Sequence, residues 1–323
     1  MSQDVVVLSA APALDRTMRV AGLRRGGVHR PTWSEDRAGG KGANVARTLR
    51  SFGVPAVLVT ALGGVHGTAF RSLAAAEGLA LAAAGCAELT RVCTTVVDDD
   101  AVTSFYELPS PIAKQTWSDL QSITRGLLPA AALVISGTLP AGVSHRSLRD
   151  LVVAARRSAT PVWADVSGQA LVDLVQLGAV VWPNLYEAQQ ALGAATGEEP
   201  AGGATGGLDE AGRAAVRLVE LGAAAAVVSC GADGVAVAGP DGTATHLPAA
   251  QTDVVNPVGA GDVLLGATLA HLHQHGESVD DLDRLRSAVA RGVQVASRSC
   301  QTWAAADLPP DVGAGVAARA GSQ

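Results

Sequence analysis

The residues best suited to chemistry lie in two glycine-rich loops near opposite ends of the chain. The first loop is Ala38-Gly39-Gly40-Lys41-Gly42-Ala43-Asn44, and the second is Asn256-Pro257-Val258-Gly259-Ala260-Gly261-Asp262. Each loop runs into a helical pattern, and the free N–H groups and dipole at the start of a helix favour an anion such as a phosphate. The second loop adds the carboxylate of Asp262 directly after its last glycine. A phosphate cradle beside a general base is the outline of a phosphoryl-transfer site.

Strands and helices alternate along the chain in an order that can position such loops. Short apolar runs predict buried strands at Val5–Leu8, Ala56–Val59, Leu133–Ile135, Pro161–Ala164, Ala179–Val181 and Ala225–Val228. Helical patterns lie between them, and the clearest begins at Gly42 and stops at Gly53. The alternation predicts an α/β fold with a central, mostly parallel sheet flanked by helices, whose ligands gather at the carboxyl ends of the strands.

Two segments alternate like pairs of half-exposed antiparallel strands and predict a small second sheet. Their strands are expected at Leu14–Val20, Val28–Glu35, Val92–Val97 and Val102–Glu107. This sheet is either a pair of surface hairpins without function or a lid, which a kinase needs to exclude water from the phosphoryl group in transit. Ala194–Gly207, rich in small residues, predicts a surface loop.

Composition and charge exclude several classes of function. Of the 323 residues 48% are hydrophobic, which is enough to fill one large α/β domain or two smaller ones. The net charge of −6 argues against binding to nucleic acid or anionic membranes, which needs clustered basic charge. The four cysteines lack zinc-ligand spacing and are expected to be reduced thiols. Because we find no secretion signal and no apolar run that could span a bilayer, we expect a cytoplasmic protein.

Seven motifs, in order along the chain, resemble the ribokinase-like (PfkB) family of carbohydrate kinases. Besides the two glycine loops, the motifs are Pro12–Thr17, Ser136–Pro140, Asp165–Gly168, Pro183-Asn184 with Glu187, and Gly231–Gly234. The resemblance covers nearly the whole chain and is strongest to the branch that contains 1-phosphofructokinase and tagatose-6-phosphate kinase. It implies one ribokinase-like kinase domain over residues 1–323, a β lid from about 12–36 and 91–110, and the use of ATP and Mg²⁺.

The second loop supplies the predicted catalytic residues. Phosphoryl transfer needs a base for the proton of the attacking hydroxyl and donors for the charge on the phosphoryl oxygens. Asp262 is placed to accept the proton, as the matching residue does in the family. The predicted anion hole consists of the amides of Gly259, Ala260 and Gly261. An ordinary glycine-rich turn is the alternative, and it does not account for the other motifs.

The first loop and the segment before it supply a predicted sugar site. The carboxylate of Asp15 can accept hydrogen bonds from sugar hydroxyls, and Asn44 adds an amide. Gly39 and Gly40 let the backbone approach the sugar. Without the resemblance, Asp15 could be only a turn residue.

Two cations are candidates for the phosphate that the substrate already carries. Lys41 and Lys114 are the only lysines of the chain, so a lysine inside the glycine loop is assigned to that phosphate. Arg91 is the second candidate, because related sugar-phosphate kinases carry an arginine at the start of this lid strand. Alternatively, Arg91 is a solvated charge at the end of a strand and binds no phosphate.

The resemblance also implies a nucleotide half. The Asn-x-x-Glu pattern at Asn184 and Glu187 supports the magnesium and phosphate end of ATP in the family, with Glu187 reaching the metal through water. The turn from Gly231 to Gly234, which follows Ser229, is where the family seats the nucleotide. From the residues alone, Glu187 could be a helix-start charge and the turn a plain hairpin.

Three positions depart from the pattern of the branch. Ala11 stands where an Asn usually precedes the proline, Trp182 replaces a Lys before Pro183, and Pro109-Ser110 replaces a Gly-Pro pair on the lid. The departures spare the predicted base and anion hole. They leave open the identity of the sugar and the nucleotide preference.

The sequence therefore predicts an ATP-dependent kinase of a ketohexose phosphate, which takes fructose 1-phosphate to fructose 1,6-bisphosphate. The alternatives are a tagatose 6-phosphate or fructose 6-phosphate kinase, a kinase of an unphosphorylated sugar or nucleoside, and a weakly active regulatory protein that binds sugar phosphates on the same fold. Related kinases often pair through the lid, and we expect Val96 and Val102 on its outer apolar face. A homodimer through the lid is the resulting prediction.

Overall fold

The structure, a computed structural model, describes residues 4–196 and 207–312. Within these residues the strands are β1 Val5–Ser9, β2 Ala13–Arg19, β3 Trp33–Gly39, β4 Ala56–Leu62, β5 Ala80–Gly85, β6 Arg91–Val97, β7 Val102–Tyr106, β8 Ala132–Ser136, β9 Val162–Asp165, β10 Val180–Val181, β11 Ala225–Ser229, β12 Val235–Ala238 and β13 Ala244–Leu247. The α-helices of the same residues are α1 Lys41–Ser51, α2 Gly64–Ala76, α3 Lys114–Gly126, α4 His145–Arg157, α5 Gln169–Gln176, α6 Leu185–Thr196, α7 Leu208–Glu220, α8 Ala260–His275 and α9 Leu282–Ser299.

A nine-stranded sheet forms the centre of the molecule, in the order β13-β12-β11-β10-β9-β8-β1-β4-β5. The strands from β11 to β5 are parallel, and β12 and β13 complete one edge with antiparallel pairing. The carboxyl ends of the parallel strands therefore share one edge of the sheet, where Asp165 ends β9 and Ser229 ends β11.

Helices cover both faces of this sheet because its strands are apolar on both sides. Successive side chains of a strand point to opposite faces. Val6 and Leu8 of β1 accordingly join a core with residues of α3 to α7, and Val5 and Val7 join a second core with residues of α1, α2, α8 and α9. The predicted fold class is confirmed by this architecture.

A four-stranded sheet in the order β3-β2-β6-β7 stands beside the large one. Its outer pairs are antiparallel and its central pair, β2 with β6, is parallel. Gly39 ends β3 and Gly40 is the N-cap of α1, so the first glycine loop joins the small sheet directly to a helix of the main layer.

The six predicted strands of the large sheet and the helix after Gly42 are confirmed. Three strands of this sheet, β5, β12 and β13, were not predicted from the sequence. Alanine is depleted in strands, and β5 is mostly alanine. The other two are short and pair antiparallel at the edge.

Two expectations about the small sheet were wrong. The predicted strand Val28–Glu35 lies instead at Trp33–Gly39, because β3 pairs with β2 up to Gly39 while Val28 is exposed in the connection before it. Val96 and Val102 do not share a face. Val102 pairs with Val97, and directly opposed residues lie on the same face, so neighbouring Val96 points to the other one. Val96 is moreover buried within the chain.

Part of the predicted loop Ala194–Gly207 is helical, since α6 continues to Thr196, and residues 197–206 lie outside the described residues. Among the helices of the described residues, none combines the length and the apolar character that a membrane span requires.

Candidate active site

A cavity of about 1450 Å³ is lined by the small sheet and by the carboxyl edge of the large sheet. All of the predicted site residues except Gly39 line it, so the predicted catalytic, sugar and nucleotide groups are brought together. Pockets for small ligands commonly measure about 300–1,000 Å³. The cavity therefore has room for two substrates at once.

The second glycine loop turns sharply into α8. Gly259 is the N-cap of this helix with φ 83°, a left-handed conformation, and a Cβ there would lie 2.6 Å from the Cβ of Ala306. A glycine is required for both reasons. The first N–H groups of a helix lack intrahelical partners and can bind an anion. The N–H of Ala260 already donates to the Pro257 carbonyl at 3.2 Å, so the three predicted anion-hole amides are not equally available.

Asp262 lies in the first turn of α8 and is only 6% exposed. Its Oδ2 accepts a hydrogen bond from Nδ2 of Asn44 at 2.7 Å. Burial and the nearby carboxylate of Asp165 raise the pKa of Asp262 well above its ordinary value, against the lowering by Lys41 and Asn44. A carboxyl whose pKa is raised toward neutrality suits a general base.

Lys41 extends into a group of carboxylates. Its Nζ lies 2.8 Å from Oδ1 of Asp165 and 3.4 Å from Oε1 of Glu187. Burial lowers the pKa of Lys41, but Asp165, Glu187 and Asp262 outweigh that effect and hold it above its ordinary value. The ammonium is therefore charged and lies between the predicted base and a predicted nucleotide residue.

Asp15 and the first glycine loop are held together on the sugar side. Oδ2 of Asp15 accepts a hydrogen bond from the N–H of Gly40 at 3.1 Å. A Cβ on Gly39 would overlap the carboxyl group of Asp15, so only glycine fits there. Burial raises the pKa of Asp15, against the lowering by Gly40, Arg47 and Arg91.

Arg91 lines the same cavity and joins the small sheet to the segments on either side of it. Its Nη1 donates to the Glu107 carbonyl at 2.9 Å, and its Nη2 donates to the Ala11 carbonyl at 3.3 Å. An arginine has five N–H donors, so these bonds leave donors for an anionic ligand.

Asn184 and Glu187 form a reciprocal cap at the start of α6. The N–H of Glu187 donates to Oδ1 of Asn184 at 2.8 Å, and the N–H of Asn184 donates to Oε2 of Glu187 at 3.0 Å. The backbone of Asn184 also forms an isolated parallel β-bridge with Ser229, at the end of β11. The cap fixes the Glu187 carboxylate where its other oxygen meets Lys41, and Gly231 and Gly234 line the cavity beyond it.

The segment after α9 supports the second glycine loop from behind. Nδ2 of Asn256 donates to the Trp303 carbonyl at 2.9 Å, and the N–H of Ala306 donates to the Val258 carbonyl at 3.0 Å. The guanidinium of Arg19, on β2, lies 4.2 Å from the centre of the Trp303 ring. The small sheet and the loop of the predicted anion hole therefore contact the same segment.

Carboxylates outnumber cations in the cavity. Among the described residues that line it, the carboxylates are Asp15, Asp165, Glu187, Asp253 and Asp262, and the cations are Lys41 and Arg91. Hard carboxylate oxygens fit Mg²⁺. The described residues contain no cluster of three or more His, Cys, Asp or Glu that could hold a metal alone. This donor set fits an ion held mainly by substrate phosphates and water.

Asp165 is the main site residue for which no role was predicted from the sequence. It follows the predicted strand Pro161–Ala164 directly, and this position at a carboxyl strand end was the signal that could have identified it. The cavity is also lined by Thr17, Cys93, Thr95 and Tyr106 of the small sheet, but only the strand register shows that they share one face of that sheet.

Comparisons with known proteins show which family the chain resembles. The model of the family described as pfkB family carbohydrate kinase matches residues 2–311. The 1-phosphofructokinase of Rhodobacter capsulatus is 31% identical over 301 residues, which cover 90% of either chain.

Solved structures show the same fold. The phosphofructokinase-2 of Escherichia coli in complex with fructose-6-phosphate is 26% identical, with a TM-score of 0.81 and 99% of both chains covered. The tetrameric inhibited form of that enzyme matches with the same identity, TM-score and coverage. The predicted ribokinase-like fold is thereby confirmed.

Proposed function

Because the chain belongs to the pfkB family of carbohydrate kinases, and is therefore a phosphotransferase, we propose that it transfers the γ-phosphoryl group of ATP to a ketohexose phosphate. Fructose 1-phosphate is the proposed acceptor and fructose 1,6-bisphosphate the product. The single observation that carries the proposal is the buried carboxylate of Asp262 at the start of α8, next to the glycine loop and facing a cavity with room for both substrates.

Asp262 is the proposed general base. Asn44 occupies its Oδ2, and the hydrogen bonds of the described residues leave its Oδ1 without a donor. An attacking hydroxyl at Oδ1 gives up its proton there as the phosphoryl group arrives. The helix-start amides of Gly259 and Gly261, with Ala260 in a lesser role, donate to the phosphoryl oxygens.

For Lys41, the contacts favour a different role from the one expected from the sequence. Its ammonium meets Asp165 and Glu187, and it lowers the pKa of Asp262. We therefore assign Lys41 to the phosphoryl group in transit, where negative charge must be neutralised. Arg91, the other cation of the described cavity lining, is assigned to the phosphate that the sugar already carries.

The nucleotide is proposed to be held by Asn184, Glu187, Ser229, Gly231 and Gly234. The sugar is proposed to be held by Asp15, Gly40 and Asn44, while Gly39, which does not line the cavity, leaves room for the carboxyl group of Asp15. Glu187 would hold Mg²⁺ through water, in keeping with the reluctance of this ion to lose its hydration. When bound, the ion supplies positive charge to the ATP phosphates.

Fructose 6-phosphate is a second candidate acceptor. It rests on the structural similarity to the Escherichia coli phosphofructokinase-2 that binds this sugar phosphate. Phosphorylation of either fructose phosphate gives the same bisphosphate, so only the acceptor distinguishes the two functions.

The test is ADP release with fructose 1-phosphate, fructose 6-phosphate, tagatose 6-phosphate and the free sugars, each at matched concentration. The highest kcat/KM is expected for fructose 1-phosphate. Preference for another ketose phosphate would replace the acceptor, and preference for a free sugar would overturn the sugar-phosphate assignment. Sugar-phosphate binding without ADP release would indicate a regulatory protein.

A homodimer through the small sheet is also proposed. Phe105 on β7 and Leu108 after it are exposed, and exposed apolar strands are commonly covered by a partner. Light scattering at micromolar concentration is expected to give twice the 32.4 kDa of the chain. A single species of monomer mass with both substrates present would contradict it.

A further inference from the structure

Arg47 is a buried cation outside the cavity lining. It lies on α1, three residues after Asn44, and is 8% exposed. Burying a charge is costly unless the charge is paired and hydrogen-bonded. The position therefore needs partners for the whole guanidinium.

The three nitrogens of Arg47 each have a partner. Nε contacts Oε2 of Glu77 at 2.6 Å, Nη1 donates to Oδ1 of Asn44 at 2.7 Å, and Nη2 donates to the Ala38 carbonyl at 2.5 Å. Glu77 supplies the countercharge. Ala38 directly precedes the first glycine loop, so the guanidinium also ties that loop to α1.

These contacts fix which way the Asn44 amide points. A guanidinium only donates, so the atom of Asn44 that faces Arg47 must be its oxygen. The NH₂ group then faces Oδ2 of Asp262, at 2.7 Å. The opposite orientation would set NH₂ against the guanidinium and the amide oxygen against the carboxylate, and both contacts repel.

We propose that Arg47 is a positioning residue, which holds the amide of Asn44 so that its NH₂ group donates to Asp262. This inference rests on the proposed role of Asp262 as the base. Arg47 touches neither substrate in this scheme and acts through Asn44. The result is a carboxylate with one oxygen held and the other directed to the acceptor hydroxyl.

The expected consequence is a change in the pH at which Asp262 ionises. The other charged groups near Asp262 are Asp165, Lys41 and Asp15, and all are present with or without Arg47. Without Arg47 the Asn44 amide can turn its oxygen toward Asp262. A lost hydrogen bond to the charged form raises the pKa of a carboxyl. The acid limb of the kcat profile should then move to higher pH by about one unit.

The experiment measures kcat against pH for the full-length wild type, Arg47→Met, Asn44→Leu and the double variant. Arg47→Met should move the acid limb upward and recover activity as the pH rises. In the Asn44→Leu background, Arg47→Met should not move the acid limb of the kcat profile any further, since Arg47 acts through Asn44. Glu77→Gln is the control, because it removes the countercharge and keeps the bond from Arg47 to Asn44. The acid limb of the Glu77→Gln profile should stay at the pH of the wild type.

Should Arg47→Met fail to fold, Arg47→Lys replaces it, because one ammonium cannot reproduce a fork that holds three acceptors. If the acid limb of the Arg47 variant stays at the wild-type pH while kcat or the melting temperature falls, the inference is overturned. Arg47 would then have only a structural role. An equal shift in the Asn44→Leu background would overturn it as well. If Asp262→Asn retains turnover, the proposed base fails first, and the role of Arg47 falls with it.

Discussion

Replacing Lys41 by Met tests the assignment of this lysine to the phosphoryl group in transit. The substitution keeps the length and most of the volume of the side chain and removes the charge. If Lys41 acts mainly in the transition state, kcat should fall while the KM for the sugar phosphate changes little.

The magnitude follows from the surroundings of the ammonium. Two unit charges about 4 Å apart interact by about 4 kcal/mol at an effective dielectric of about 20. The Lys41 side chain is 37% exposed, so solvent screens part of this energy. We therefore use the value for a hydrogen bond to a charged group, about 1.5–3 kcal/mol, which corresponds to about a tenfold to hundredfold loss of kcat.

The assay is steady-state ADP release with both substrates varied in turn. Lys114→Met is the matched control, since Lys114 begins α3 and is not among the residues that line the cavity. It should leave kcat and both KM values unchanged. An unchanged kcat for Lys41→Met with a tenfold or larger rise in the sugar-phosphate KM (about 1.4 kcal/mol) would refute the reasoning. Lys41 would then bind the phosphate that the substrate already carries.

Other substitutions test the remaining assignments. Asp262→Asn should lower kcat by about 10²–10⁴-fold while calorimetry still shows nucleotide binding, and near-normal turnover would remove Asp262 as the base. The fold raises the pKa of this carboxyl, so its contribution to stability is present below the unfolded pKa and is lost as pH rises toward the folded one. Between about pH 4, the ordinary pKa of an aspartate, and about pH 8, to which the fold raises the pKa of Asp262, the melting temperature of the wild type should therefore fall more than that of Asp262→Asn. Parallel curves would contradict this. Arg91→Met should raise the sugar-phosphate KM about tenfold to a hundredfold with little change in the ATP KM, and the reverse pattern would place Arg91 in the nucleotide half.

The large sheet could be predicted because its strands are local apolar runs with helical segments between them. Val5–Leu8 and Ala225–Val228 carry that signal by themselves. The faces of the small sheet could not be predicted in this way. Which face Val96 and Val102 occupy depends on the register across the turn between them, and a slip of one residue reverses every face.

In the candidate site too, features formed by neighbouring residues could be predicted and contacts between distant residues could not. The glycine loops and Asp262 are recognisable because their residues are neighbours in the chain. The ion pair of Lys41 with Asp165 joins positions 124 residues apart, and no local pattern contains it. The role expected for Lys41 from the sequence followed from its charge and its place in the glycine loop of a chain with two lysines. The proposed role depends instead on which carboxylates lie within reach of its ammonium.

Before either substrate binds, the five carboxyl groups and two cations among the described residues that line the cavity repel a sugar phosphate at a distance. Dissolved salt screens such repulsion over a Debye length of about 8 Å at physiological ionic strength. The association rate of the sugar phosphate should consequently increase with ionic strength, which is the reverse of attractive electrostatic steering.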